Sequence, residues 1–267
     1  MPANKIRVGD IDMAYELRGP KSAPVICLNH CFAANHRYWD PHLEAFEGLR
    51  ILRFDLRGHG QSDAPAGPYT LEMLARDVMG LCDALALERV HFCGVSLGGQ
   101  VAQTFALNYP ERLASLTLVN STCEYNEEQT RMWRERAAVA VAQGMSAIQD
   151  GLLHRWFTAQ ACAERSPGYR FMAQAISEFS PTSFAAASAA MCMLHTTPRL
   201  SEIKVPAMVV ATPHDPGAPR EVSEKMARLI PQCELHWLEP AQHLSSLEHP
   251  LRFNALMRAF LTRVTDG

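Results

Sequence analysis

The stretch HFCGVSLGGQVAQ (91–103) constrains the fold more than any other part of the chain. An apolar run ends near Gly94, a serine follows two residues later, and a run with helical spacing begins at once. A strand has to become a helix within about two residues here, and a chain turns that sharply only where side chains are small. Gly94-Val95-Ser96-Leu97-Gly98 places one glycine two residues before the serine and one two residues after it. Such a turn holds the Ser96 hydroxyl outward at the C-terminal edge of a sheet. It also leaves the following amide N–H groups at a helix N-terminus, free to bind an oxyanion.

The surrounding chain supplies the sheet. KIRVGDIDMAYELRG has two β-like runs about Gly9-Asp10, a hairpin signal. APVICLNH (23–30), LRILRFD (49–55), RVHFCG (89–94) and LASLTLVNS (113–121) read as strands. LEMLARDVMGLCDALAL (71–87) and GGQVAQTFALNYPERL (98–113) read as helices by their apolar spacing. Alternation of this kind predicts an α/β fold, a mostly parallel sheet with helices on both faces. The pattern lapses over 122–195, a stretch rich in Ala, Met, Arg and Gln with helical runs and little strand, and then returns. VPAMVVATPHD (205–215) and CELHWLE (233–239) are strands, and REVSEKMARLI and PLRFNALMRAFLTRV are helices. The expected organisation is a core of 1–121 and 196–267 with an inserted helical cap of 122–195. Arg131, Arg134 and Arg136, set among glutamates in the cap, read as a solvated helix face.

A serine hydroxyl becomes a good nucleophile only beside a base, and the base needs an acid to fix its tautomer. Asp215 lies just past a late strand in TPHDPGAP, and His243 just past the last strand in EPAQHLSS. Both sit in loops, in the order serine, acid, histidine. Glu124, after the strand LTLVN, is an alternative acid. His236 falls inside a strand, His249 precedes a proline, and His214 adjoins the acid; these read as structural. The loop after VICLNH offers the backbone N–H of Phe32 as a partner to that of Leu97 in an oxyanion hole. Trp133, Trp156 and Met193, with Phe157, Met172, Phe179 and Met191, are cap side chains of a kind that lines a substrate pocket. Asp55, Arg57, His59 and Ser62 look catalytic by composition, but DLRGHGQS reads as a brace for the neighbouring turn.

Bulk properties narrow the class. With 48% hydrophobic and 20% charged residues, a sizeable core is affordable in 267 residues. A formal charge of −3 with scattered basic residues gives no electrostatic footprint for nucleic acid. The eight cysteines form no CxxC pair, and several lie in apolar runs, so buried free thiols are expected, with no metal site. MPANKIRVGDIDMAYELRG contains no apolar signal segment, and no run approaches the roughly 20 residues that span a bilayer. A cytoplasmic protein that does not enter membranes is expected.

RFDLRGHGQSDAP, GVSLGG, VPAMVVATPHD and PAQHLSSLEHPLRFN, in this order, resemble the α/β-hydrolase superfamily across essentially the whole chain. More narrowly, YWDPHL, YTLEMLARDV, LCDALALERVHFCGVSLGG and RWFT resemble the 3-oxoadipate enol-lactonases of aromatic catabolism. The resemblance implies an α/β-hydrolase fold with a helical cap, hydrolysis of a small lactone, no cofactor, and a triad on Ser96, Asp215 and His243. The same triad would serve a carboxylesterase, a neutral-lactone hydrolase or a perhydrolase, and a receptor can keep such a pocket without turnover. Ser96 argues against relatives that use an aspartate nucleophile. Two departures stand out. The oxyanion loop reads His30-Cys31-Phe32 where many members have His-Gly-aromatic. AAMCMLHTTPRL also replaces the Arg-Asp pair that enol-lactonases commonly carry at the cap end, leaving Cys192, Met193 and His195. An apolar pocket that prefers an uncharged lactone or ester is the expectation drawn from that loss.

Overall fold

The computed structural model describes residues 3–265. Gly9, at φ +55°, takes the left-handed conformation that joins β1 (Asn4–Val8) to β2 (Ile11–Arg18) as an antiparallel hairpin. β3 (Val25–Asn29), β4 (Arg50–Phe54), β5 (Val90–Val95), β6 (Leu113–Val119), β7 (Ala207–Ala211) and β8 (Cys233–Trp237) complete an eight-stranded sheet. The spatial order is β1-β2-β4-β3-β5-β6-β7-β8; β2 is antiparallel to β4, and every later pair is parallel. β5 and β7 are buried at every residue, whereas edge strand β8 is half-buried throughout.

Parallel strands deliver their C-terminal ends to one edge. The loops that follow β3, β5, β6, β7 and β8 therefore meet, and they carry Phe32, Ser96, Asn120, Asp215 and His243. Helices α1 (Leu71–Ala84) and α2 (Leu97–Asn108) belong to the first half, and α8 (Arg220–Leu229), α9 (Ser245–Glu248) and α10 (Pro250–Thr265) to the second. A 3-10 segment, His36–Phe46, which the apolar spacing does not announce, buries Tyr38 and Trp39.

Between β6 and β7 the chain is helical: α3 (Glu127–Gln143), α4 (Ser146–Trp156), α5 (Ala159–Ala163), α6 (Pro167–Glu178) and α7 (Pro181–Cys192). A capping box starts α3: Asn126 Oδ1 accepts from the Gln129 N–H at 2.8 Å, and Gln129 Oε1 from the Asn126 N–H at 3.0 Å. Gly144, at φ +84°, ends it and separates α3 from α4. Ser166-Pro167 and Ser180-Pro181 open α6 and α7 in the same way, serine capping and proline taking the first helical position. α3 packs against α7, and α4 against α6.

Two expectations about these helices are corrected. Arg131 and Arg134 are exposed, and Arg131 pairs with Glu135 at 3.8 Å, but Arg136 is half-buried. It lies three residues after the buried Trp133, so the helical period places both on the inner face. Met193 borders a surface cavity with Arg134, Ala137 and Cys192 that contains no triad residue. It caps the C-terminus of α7, beyond the buried stripe Phe184, Ala187 and Met191, and is 64% exposed.

DLRGHGQS forms a brace. Asp55 Oδ1 accepts from the N–H and Nδ1 of His36 at 2.6 and 2.8 Å, and Oδ2 accepts from the Gln61 N–H at 2.8 Å. Arg57 bridges Asp77 and Asp10 with four hydrogen bonds of 2.6–3.0 Å. The eight cysteines are free; five are buried and three half-buried. Among the described residues no helix is long and apolar enough to cross a membrane.

Candidate active site

Ser96 sits at the turn from β5 into α2 with φ +53° and ψ −115°, a conformation that costs an L-residue about 1–3 kcal/mol and is held by its surroundings. The glycines explain how the turn fits. A Cβ on Gly94 would lie 2.2 Å from the Gly98 carbonyl oxygen, and one on Gly98 would lie 2.5 and 2.6 Å from the carbonyl oxygens of Asn29 and His30. Both obstacles are backbone. Gly98→Ala is therefore expected to cost about 1–3 kcal/mol of stability, or roughly 3–10 °C in melting temperature. It should also lower activity by pushing the loop after β3 away from Ser96; a thermal melt beside an ester assay checks both.

The three sequence-predicted residues are brought together. His243 Nε2 lies 2.8 Å from Ser96 Oγ, and its Nδ1 lies 2.8 Å from each carboxylate oxygen of Asp215. All three are buried, Ser96 at 6%, Asp215 at 2% and His243 at 7% exposure, so bulk water does not compete for these bonds. The Gly217 N–H donates to Asp215 Oδ1 at 2.7 Å, and Asn120 Nδ2 donates to Oδ2 at 3.1 Å. Burial alone would push the Asp215 carboxyl up. The adjoining His243 and the two further donors outweigh it and hold the group below its ordinary range. An ionised Asp215 only accepts, so the imidazole proton resides on Nδ1, and Nε2 is left to accept from the Ser96 hydroxyl.

Leu97 is the first residue of α2, where an N–H has no acceptor within the helix. Phe32 lies in the loop after β3, its ring buried against Phe184 at 4.6 Å, Trp133 at 5.5 Å and Phe179 at 6.0 Å between centroids. His30 pins the same loop: its Nδ1–H donates to the Cys31 carbonyl at 2.7 Å, and its Nε2 accepts from the Leu56 N–H at 3.1 Å. Burial pushes the His30 pKa down, which keeps this neutral tautomer. Cys31 replaces the usual glycine at no conformational cost, because the left-handed φ of the loop falls on Ala33, at +55°.

The rival residues are accounted for elsewhere. Glu124 accepts from Lys225 Nζ at 2.6 Å and from the Thr197 hydroxyl at 2.7 Å, so it is not the acid that faces His243. His236 lies in β8, 3.4 Å from Glu234; His249 meets the Pro240 carbonyl at 2.5 Å; His214 is exposed. The Trp156 ring lies 6.3 Å from the His243 ring, tilted by 35°, and Trp133 borders the Phe32 loop.

Sequence reasoning missed the residues that hold the triad. Asn120, at φ +44°, donates to Asp215 and accepts from the Ser245 hydroxyl at 2.5 Å. Its position right after β6, at the same sheet edge as the triad, was the available signal. Three ties join the junction of α4 and α5 to the triad loops. Arg155 Nη2 donates to the Pro216 carbonyl at 2.7 Å, and the Leu244 N–H donates to the Trp156 carbonyl at 3.1 Å. Glu248 accepts from the Gln242 N–H at 2.7 Å and from the N–H and hydroxyl of Thr158 at 3.0 and 2.6 Å. Glu248→Ala is expected to lower kcat about ten-fold and to cost about 1.5–3 kcal/mol, since it strands charge-assisted bonds on both sides of the His243 loop. Steady-state kinetics with a thermal melt tests this. A surface cavity of about 740 Å³ lies behind that loop, bordered by Tyr38, Phe171 and Leu247, and contains no triad residue.

The α/β hydrolase fold family matches residues 24–250. The chain belongs to that family. The 3-oxoadipate enol-lactonase 2 of Acinetobacter baylyi is 28% identical over 255 residues, covering 95% of this chain and 94% of that one. Among solved structures, the enol-lactonase from Burkholderia xenovorans LB400 superposes with a TM-score of 0.93 at 31% identity, covering 97% of this chain and all of that one. A hydrolase from Pseudomonas aeruginosa PA01 gives 0.93 at 33% identity, covering 97% and 98%. Within this hydrolase frame, the hydrogen-bonded chain from Asp215 through His243 to Ser96 has the geometry to remove a proton from a hydroxyl as it attacks a carbonyl carbon.

Proposed function

We propose that the protein is a serine-dependent hydrolase that opens a small lactone, or cleaves a small ester, through an acyl-enzyme on Ser96. The observation that carries this reading is the chain of 2.8 Å hydrogen bonds from Asp215 through His243 to Ser96, all three of them buried. Similarity to enol-lactonases over nearly the whole chain supports a lactone as the substrate.

In this mechanism His243 Nε2 takes the Ser96 proton as Oγ attacks the carbonyl carbon. The oxyanion that forms is received by the N–H groups of Phe32 and Leu97, a contribution worth roughly 100–1000-fold per donor in comparable sites. Asp215 stabilises the imidazolium and does not itself take up the proton. Collapse breaks the ring C–O bond, and His243 returns the proton to the leaving oxygen. Water then attacks the acyl carbon, giving its proton to His243, and Ser96 departs with that proton. Residues 1–121 and 196–267 supply this machinery, and 122–195 act as the cap that selects the substrate, with Trp133 and Trp156 as its inner wall. The test is steady-state hydrolysis of 3-oxoadipate enol-lactone beside neutral lactones and short aryl esters, with Ser96→Ala as control. Ser96-dependent multiple turnover of any of these supports the reading; binding without turnover of the whole panel would make the protein a receptor.

A further inference from the structure

Asn120 follows β6 directly and stands between the loop that carries the acid and the loop that carries the base. Its backbone N–H donates to the Val210 carbonyl of β7 at 2.8 Å. Its side chain reaches Asp215 in one loop at 3.1 Å and Ser245, two residues past His243, in the other at 2.5 Å. Asn120, Asp215 and Ser245 are all buried.

The protons of this chain have one consistent placement. An ionised carboxylate only accepts, so the end of the amide that faces Asp215 is its NH₂ group. The other end is then the oxygen, and the Ser245 hydroxyl donates to it. A turned amide would set its oxygen against the carboxylate, and it would forgo the Ser245 bond in its present sense. Two donor chains therefore converge on Asp215: Ser245 through Asn120 on one side, and Ser96 through His243 on the other. The convergence also centres the carboxylate. The Gly217 N–H holds Oδ1 and Asn120 holds Oδ2, and His243 Nδ1 lies 2.8 Å from each oxygen. Without Asn120 only Oδ1 keeps a second donor. The carboxylate is then free to swing, and the charge on Oδ2 bears on the imidazole alone.

We propose that Asn120, oriented by Ser245, is a positioning residue that aligns Asp215 and takes up part of its charge, so that His243 still acts as a base on the acid side of neutrality. This deepens the reading of Ser96 as the nucleophile and rests on it. A donor to a carboxylate weakens that carboxylate's hold on a neighbouring imidazolium, so the imidazole gives up its proton at lower pH. The other ionisable groups around the pair leave both Asn120 bonds untouched. Arg155 of α4 donates to the Pro216 carbonyl, and Glu248 of α9 accepts from Gln242 and Thr158. The Tyr125 hydroxyl, after β6, accepts from Gln100, and His214, beside the acid, is exposed.

The experiment compares the parent with Asn120→Gly, Ser245→Ala and the double variant on a short aryl ester across pH. Glycine suits the φ of +44° at this position, so Asn120→Gly is expected to fold. It should lower kcat about ten-fold and leave KM within about two-fold. The acid limb of kcat/KM should move up by about half to one pH unit. Ser245→Ala should lower kcat about three-fold and move the limb the same way. The double variant should match Asn120→Gly alone, because Ser245 acts through the amide. The His243 ring signals, identified by their loss in His243→Gln and followed by NMR, should titrate at higher pH in Asn120→Gly than in the parent. That readout needs no turnover, so failure of all Ser96-dependent hydrolysis would sink the hydrolase reading alone. An unchanged or lower His243 titration midpoint in Asn120→Gly would overturn the role of Asn120, as would an acid limb that stays in place. Full additivity of the two substitutions would overturn the role of Ser245.

Discussion

Ser96→Ala is expected to reduce turnover by about 10⁴- to 10⁶-fold and to leave the fold unchanged. The hydroxyl has one hydrogen-bond partner of consequence, His243 Nε2 at 2.8 Å, and alanine keeps the Cβ that fits the turn. The left-handed φ of +53° is equally unfavourable for serine and alanine, so the strain is the same before and after substitution. A melting temperature within about 2 °C of the parent, measured beside the rate, separates loss of the nucleophile from loss of the protein. Residual activity above about one per cent would mean that another group attacks the carbonyl.

Asp215→Asn is expected to cost about 10⁴-fold in kcat, for a reason its neighbours make specific. The carboxylate accepts from three sources: His243 Nδ1, the Gly217 N–H and Asn120 Nδ2. An amide has one oxygen to offer. Its NH₂ group either faces another donor or faces His243, and in the second case the imidazole proton is driven to Nε2, where it can no longer receive the Ser96 proton. The pH dependence of stability follows from the depressed Asp215 pKa. Because the folded value lies below the unfolded one, near 3.9, the carboxylate adds stability that is present above about pH 4 and is lost as pH falls through the folded pKa. Denaturant midpoints of parent and Asp215→Asn measured from pH 7 downward should therefore converge on the acid side. Parallel curves would show that the carboxylate carries no such linkage.

The residues legible in the sequence were a nucleophile, a base and an acid that each sit in the loop after a strand. Ser96, Asp215 and His243 each sit in the loop after β5, β7 or β8, and once the strands are read as parallel their loops must share an edge. Residues whose meaning depends on a partner far along the chain were not legible. Arg136 has two other arginines within five residues and glutamates around them, so composition reads it as solvent-facing; only its spacing from Trp133 turns it inward. Met193 is as apolar as Met191, yet two residues at a helix end reverse the direction it faces. Asn120 and Glu248 carry no motif of their own. Their roles appear when Asp215 and Gln242 come within 3.1 and 2.7 Å of them.

The ties between 155–158 and the two triad loops bear on how such enzymes can change. On the proposed function, a chimera that takes residues 122–195 from a relative would exchange the walls of the binding space, but it would also exchange the donors and acceptors that meet Pro216, Leu244 and Glu248. The segment is thus not a detachable module. Grafts that retain Arg155, Trp156 and Thr158 should inherit new selectivity with the reaction rate preserved, whereas grafts that discard them would loosen the acid and the base together and confound altered selectivity with a detuned triad.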